Sequence, residues 1–177
     1  EKEIAVLVAR GKDGESRCYP VVEMRFRPGE NMLDMLIAPA DLSNETSQAA
    51  QALAVRTVEA LGGVGIFGIE MFLTHDSKLL VNEVAPRTHT SGHYTIEACV
   101  TDQFEQHLRA IIGLPLGSTD LLSPAAMVNL LGAPGKSGRP VIKGMAAALA
   151  IPGVCIHIYG KARTTPFRKM GHVTVLD

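Results

Sequence analysis

Between Asn82 and His93 the chain reads Asn-Glu-Val-Ala-Pro-Arg-Thr-His-Thr-Ser-Gly-His, and from Arg87 onward it holds no aliphatic side chain. So dense a run of charged and hydrogen-bonding groups adds little to a core. It suits the grip of a metal-bound or phosphorylated ligand. The arginine fork takes carboxylate or phosphate in a bidentate way, and a histidine moves a proton near neutral pH. If the backbone after Pro86 is extended, Arg87, His89, Ser91 and His93 fall on a common side. The competing reading is a polar loop in which Thr90, Ser91 and Thr95 cap the next helix.

A second constellation comes from a hairpin. If residues 74–77 form its loop, Leu73 faces Lys78 and Glu70 lies opposite Val81. Alternation then sends Glu83 to the face of Glu70, one diagonal step away. Diagonal neighbours stand about 7–8 Å apart, close enough for two carboxylates to share a cation. A loop longer by one residue sends them to opposite faces. Oxygen ligands with no thiol nearby favour Mg²⁺, completed by water and nucleotide phosphates. The plain alternative is two glutamates projecting into solvent from an exposed sheet face.

A third cluster, Lys161, Arg163, Arg168, Lys169 and His172, lies between Gly160 and Gly171. Four of these are lysines or arginines within nine residues, which suits an anion such as phosphate; a solvated basic loop is the alternative. The sequence contains no G-x-x-x-x-G-K-[ST] and no G-x-S-x-G, so neither a P-loop nor a hydrolase nucleophile elbow is expected. Gly62-Gly63-x-Gly65 reads as a helix stop and strand entry.

The elements that must position these groups follow from periodicity. Ile4–Ala9, Cys18–Phe26 and Met32–Ile37 read as strands of an antiparallel meander, broken at Gly11–Gly14 and at Arg27–Asn31. Ser43-Asn44-Glu45 opens a helix that carries Ala50, Leu53, Ala54, Val58 and Leu61 at helical spacing and stops at Gly62-Gly63. Gly65–Leu73 and Lys78–Val84 form the hairpin. Thr95–Ile112 reads as mostly helical, with Phe104, Leu108 and Ile111 on one face. Past Ser118, short apolar runs at Ala125–Leu131 and Val154–Tyr159 alternate with glycine- and proline-rich loops. The expected architecture is α+β, with a boundary near 118 separating residues 1–117 from a small, mostly β unit at 118–177.

Composition narrows the function classes. With 177 residues, 46% apolar, 20% charged and a net charge of −1, the chain has no basic field for nucleic acid and no polybasic patch for lipid. Its most apolar stretch, Met145–Ile151, falls far short of the roughly 20 residues of a membrane span. Cys18, Cys99 and Cys155 form no metal-spaced pair and read as reduced thiols of a cytoplasmic protein. Glu1-Lys2-Glu3 leads straight into a strand, without a signal peptide; the expectation is a segment of a longer polypeptide.

Gly68-Ile69-Glu70-Met71-Phe72, Asn82-Glu83-Val84-Ala85-Pro86-Arg87 and Ser91-Gly92-His93-Tyr94-Thr95 resemble the ATP-grasp superfamily. Together with Gln103–Arg109 and Arg168-Lys169-Met170-Gly171-His172, they resemble most closely the 5-(carboxyamino)imidazole ribonucleotide synthase family of purine biosynthesis. The resemblance spans essentially the whole chain, although a complete member is about twice as long. It implies an ATP-dependent carbon–nitrogen ligase: ATP and bicarbonate give carboxyphosphate, and its CO₂ reaches the exocyclic amine of aminoimidazole ribonucleotide. By the family pattern Glu70 and Glu83 hold Mg²⁺ at the ATP phosphates, beside Asn82, and Glu3 takes the nucleotide ribose. Arg87 and His89 face the imidazole substrate and the carboxylation site; Lys161 and Arg168 take its 5′-phosphate. The family is commonly dimeric. Without the lysines and glycine-rich loop expected upstream, these residues alone should bind nucleotide weakly and catalyse nothing. Two further readings stand beside this one: another ATP-grasp ligase, of the glycinamide ribonucleotide formyltransferase or biotin carboxylase type, and a non-catalytic scaffold with a vestigial site.

Overall fold

A computed structural model describes residues 2–26, 29 and 32–177; the turn expected at Arg27–Asn31 lies, apart from Gly29, outside them. In chain order the elements are β1 (Lys2–Arg10), β2 (Ser16–Cys18), β3 (Val22–Phe26), β4 (Leu33–Ala38), α1 (Asn44–Leu61), β5 (Gly65–Leu73), β6 (Leu79–Ala85), α2 (Thr95–Ala98), α3 (Gln103–Ile112), β7 (Ala125–Leu131), α4 (Met145–Leu149), β8 (Val154–Ile158) and β9 (Lys169–Leu176). A 3-10 turn, Thr90–Gly92, precedes α2. The strands form an antiparallel sheet in the order β6-β5-β1-β3-β4-β7-β9-β8, with β2 pairing β1. Helices flank it, and the architecture is α+β as expected.

Alternation along β1 divides the interior. Ile4, Val6 and Val8 point to one face and pack with Phe67, Ile69 and Met71 against Ala50, Ala54 and Val58 of α1. Ala5, Leu7 and Ala9 point to the other, toward Tyr94, Ala98 and Ala110. α1 starts and stops where its sequence says. The Ser43 hydroxyl accepts from the Thr46 N–H, and Gly62 ends the helix at φ 65°, a left-handed conformation that costs glycine little.

Three expectations need correction. The single strand expected at Cys18–Phe26 is interrupted at Tyr19-Pro20-Val21, where Pro20 brings no N–H to the ladder. The helix expected across Thr95–Ile112 is split, because Cys99 turns extended and bridges Leu121 before Asp102 caps α3. Phe104 and Leu108 do share a face of α3, and it is the outward one, 42% and 57% exposed. Gln103, Gln106 and Ala110 face inward instead. The Gln106 amide explains its own burial: it donates to the Gly117 carbonyl and accepts from the Gly117 N–H, both at 2.8 Å, so the core side of α3 binds backbone that would otherwise be orphaned. Finally, the basic run ending at His172 is not all loop, since β9 begins at Lys169 and lies between β7 and β8.

Gly63-Val64-Gly65-Ile66-Phe67-Gly68 also spells G-x-G-x-x-G. That pattern marks a dinucleotide site only where it follows a strand and opens a helix. Here it follows α1 and opens β5, and its glycines do other work. Among the described residues no helix is long and apolar enough to cross a membrane.

Candidate functional site

The hairpin brings two carboxylates face to face, by a route that simple alternation does not give. Leu73 pairs with Leu79, not Lys78, so the loop is one residue longer than expected. Left uncorrected, that register would put Glu83 opposite Ile69, on the wrong face. A bulge between Glu70 and Met71 absorbs one extra residue, Asn82, and restores the parity: Met71 faces Val81, and Glu70 faces Glu83 directly. The carboxylates are therefore direct partners, not diagonal ones. Glu3 shares their face, because Ala5 is paired with Glu70 and Glu3 lies two residues away along β1.

His89 reaches the same place from the following segment. Its imidazole lies over Gly68 of β5, where an added Cβ would stand 2.9 Å from the His89 Cβ and 3.0 Å from its Cγ. Nδ1 lies 2.9 Å from the Ser91 hydroxyl and accepts from the Ser91 N–H. That leaves the proton on Nε2, which points toward Glu70 Oε1 at 3.7 Å. Burial first, and the Arg87 charge next, hold the imidazole below its usual pKa, so it faces the carboxylate as a neutral N–H donor. Substituting Ala for Gly68 is expected to push the ring out of this seat and to cost about 1–3 kcal/mol of stability through overpacking. A denaturant melt and a crystal structure of the variant check it; a His89–Glu70 distance unchanged from 3.7 Å would contradict it.

β9 adds a cation. Lys169 donates through Nζ to the Thr90 hydroxyl at 3.2 Å. With Glu70, Glu83, His89, Thr90 and Phe167 it lines a cavity of about 340 Å³. Burial lowers the Lys169 pKa, and the Glu70 charge partly opposes that. Glu70 itself is pushed above the usual carboxylate range by burial first, then by the charges of Glu83 and Glu3. Two converging carboxylates, with the Glu83 charge helping to raise the proton affinity of Glu70, are poised to take a divalent cation. Among the described residues no group of three or more His, Cys, Asp or Glu is set to hold a metal ion. Two carboxylates nevertheless fit Mg²⁺, which usually draws its remaining ligands from phosphates and water.

The remaining sequence-derived residues scatter around this centre. Asn82 is the exposed bulge residue. Glu3 lines an adjoining cleft with Lys2, Arg25 and Phe72, and Phe26 borders both cavities. Arg87 is exposed and donates to the Thr88 carbonyl at 3.0 Å. Lys161 is turned to the Lys169 carbonyl, and Arg168 to that of Arg163. The extended presentation expected after Pro86 ends at His89, where the 3-10 turn begins, so Ser91 and His93 part from it; Ser91 is buried and His93 half-buried. His172, read as part of an anion site, is also buried, between His93 and His157. The sequence placed Lys169 in a basic cluster suited to an anion but not beside the carboxylates, and gave Thr90, Gly68 and Gln103 no part in the site.

The chain belongs to the ATP-grasp family: the ATP-grasp domain model matches residues 1–104. A second model, the phosphoribosylaminoimidazole carboxylase C-terminal domain, matches residues 125–177. Among curated proteins, a phosphoribosylaminoimidazole carboxylase of Schizosaccharomyces pombe is 47% identical over 181 residues, covering 99% of this chain and 32% of that protein. Among solved structures, N5-carboxyaminoimidazole ribonucleotide synthetase from Thermotoga maritima is 60% identical with a TM-score of 0.93, covering all of this chain and 47% of that one. The Aspergillus clavatus N5-carboxyaminoimidazole synthase, solved with ADP and 5-aminoimidazole ribonucleotide, is 40% identical with a TM-score of 0.92, at 100% and 47% coverage. The chain thus spans about a third of that curated relative and about half of these solved chains.

Proposed function

We propose that the complete protein carboxylates aminoimidazole ribonucleotide with ATP and bicarbonate, and that this chain supplies the metal-holding and part of the substrate-facing groups. The carrying observation is the cavity in which Glu70, Glu83, His89 and Lys169 converge. In this reading bicarbonate oxygen attacks the γ-phosphorus and the bond to ADP breaks. Carboxyphosphate then releases phosphate and CO₂, and the exocyclic amine adds to the CO₂ carbon and loses a proton. Glu70 and Glu83 would hold Mg²⁺, which when bound offsets charge on the phosphates. Asn82 and Glu3 belong to the nucleotide side. The neutral His89 N–H is suited to orienting or polarising an oxygen of the reacting carboxylate, and Arg87 to the imidazole substrate. Lys161 and Arg168 take the 5′-phosphate after leaving their present backbone partners, and Lys169 is the cation nearest the transferred group. We also place the division of the chain near residue 118 and the complete protein as a cytoplasmic homodimer.

ATP hydrolysis by the complete protein is expected to be stimulated by aminoimidazole ribonucleotide plus bicarbonate, and not by formate or biotin. Steady-state phosphate release checks this. Stimulation by formate or biotin would move the assignment to another ATP-grasp ligase, and no stimulation by any of them would favour a scaffold.

A further inference from the structure

One side chain that no part of the proposed chemistry uses is tied into the site more tightly than any group that it does use. Gln103, the first residue of α3, is fully buried. Its Oε1 accepts from the His89 main-chain N–H at 2.9 Å, and its Nε2 donates to the His89 carbonyl, also at 2.9 Å. The amide thereby makes with His89 the pair of bonds that a neighbouring strand would make, closing a ring on a segment that has just left the sheet. Nε2 donates again, to His93 Nδ1 at 2.9 Å, and the Gln103 N–H donates to the Thr95 hydroxyl, which donates to the Gly92 carbonyl. The orientation of the amide is fixed by its partners, since the His89 N–H can face only oxygen and the His89 carbonyl only nitrogen.

Two glycines make room for this arrangement. A Cβ on Gly92 would collide with Leu7 Cδ1 and stand 2.5 Å from Gln103 Oε1. Gly68 leaves the seat under the His89 ring. The backbone of His89 is thus held from one side and its ring from another, an over-determined geometry of the kind that functional groups need to keep productive distances.

We infer that Gln103 is the positioning residue of the site, clamping the His89 backbone so that its Nε2–H stays aimed at the carboxylates; this rests on His89 facing the substrate in the proposed reaction. Its effect on turnover is assigned to its two bonds to His89, the bond to His93 serving to hold the amide in place. Replacing Gln103 with Met in the complete protein is therefore expected to lower kcat about 10–100-fold, the usual cost of losing such a supporting hydrogen-bond partner, with KM for ATP unchanged. In a His89→Ala background the same replacement should lower kcat no further. An equal fold-loss in both backgrounds would make Gln103 merely structural and overturn the inference, as would Gln103→Met at full kcat. If His89→Ala alone leaves turnover intact, the reading of His89 itself falls, an outcome distinct from failure of the clamp.

Gln103→Glu keeps the proposal testable should the Met variant not fold. A carboxylate can accept from the His89 N–H but cannot donate to its carbonyl, whereas the protonated acid does both. Burial beside a carbonyl raises such a pKa, so the deficit of this variant relative to the parent protein should narrow as pH is lowered. A deficit independent of pH would overturn the clamp.

Discussion

Replacing Glu83 with Gln in the complete protein is expected to remove turnover while making the ligand-free fold more stable. The loss follows from the bulge at Asn82, which leaves Glu70 and Glu83 directly opposed on one face with no third carboxylate, thiol or imidazole set to replace either among the described residues. A single preorganised electrostatic partner is worth on the order of 10²–10³ in kcat, and half of a two-carboxylate metal site should cost at least that. The gain follows from the same geometry. The Glu70 carboxyl is raised above its ordinary value of 4.5 by burial first and by the Glu83 charge second. A carboxyl whose folded pKa is raised holds more protons folded than unfolded, so it lowers stability as pH climbs from about 4.5 through its folded pKa. Glu83→Gln removes part of that penalty, worth a few tenths to about 1 kcal/mol for a pair open to water on one side. Denaturant melts should show the variant more stable than the parent at pH 7 and its advantage shrinking at pH 4, where the raised Glu70 carboxyl is largely protonated in the parent, and phosphate release should show its lost turnover. Full turnover would end the metal-site reading. A variant less stable than the parent at pH 7 would end the account of mutual repulsion. The destabilised pair is the usual compromise of a binding site against its own fold.

How much of this was legible in the sequence depended on which force set each element. β1 and β5 were legible as short apolar runs buried on both faces, and α1 because burial against the sheet imposes period 3.6 on its apolar residues, with Ser43 and Gly62 marking its ends. The shared face of Glu70 and Glu83 was reached through the wrong register: a longer loop and a bulge cancel each other, and neither leaves a hydrophobic signature. The core side of α3 was not legible because two of its inward positions, Gln103 and Gln106, are amides that hydrogen-bond His89 and Gly117. β9 escaped because Lys169, Gly171 and His172 are poor strand signals on their own, while its pairing with both β7 and β8 supplies the stabilisation. Lys169 was therefore read with the basic cluster and not set beside Glu70 and Glu83, where β9 carries it.

Acid is expected to loosen the molecule at one seam. The rings of His93, His172 and His157 are stacked, with centroids 4.7 and 4.5 Å apart, and join the segment before α2 to β8 and β9. Phe104 flanks His93, Tyr159 hydrogen-bonds His172 Nδ1 at 2.9 Å, and Glu97 pairs with His157 Nε2. The His172 Nε2 is buried without a partner among the described residues. Nothing there offers a counter-charge to His93 or His172. Burial first, then the charges of His172, His89, Lys169 and His157, depress His93 to about 4; burial, then His157, depress His172 to about 4. Both titrate at 6.5 when free. Their folded pKa values lie below the unfolded ones, so the unfolded chain binds more protons throughout the window from about 6.5 down to about 4. Stability is full above that window and is lost as pH falls through it. At 1.36 kcal/mol per unit, discounted because the two stacked rings titrate as a pair, the loss is on the order of 3 kcal/mol, a large share of a typical domain's 5–15 kcal/mol. Urea midpoints at pH 7.5 and 5 should show the loss, and His172→Phe, which keeps a flat ring in the stack, should flatten it. An unchanged pH dependence in that variant would place the acid sensitivity elsewhere. Hydrogen exchange at pH 5 should then find β8 and β9 opening before β1 and β5. Lys169 is carried on β9, so the same protonation that unstacks the histidines would withdraw the lysine from Glu70 and Glu83, making the imidazole stack a condition for the site to be assembled at all.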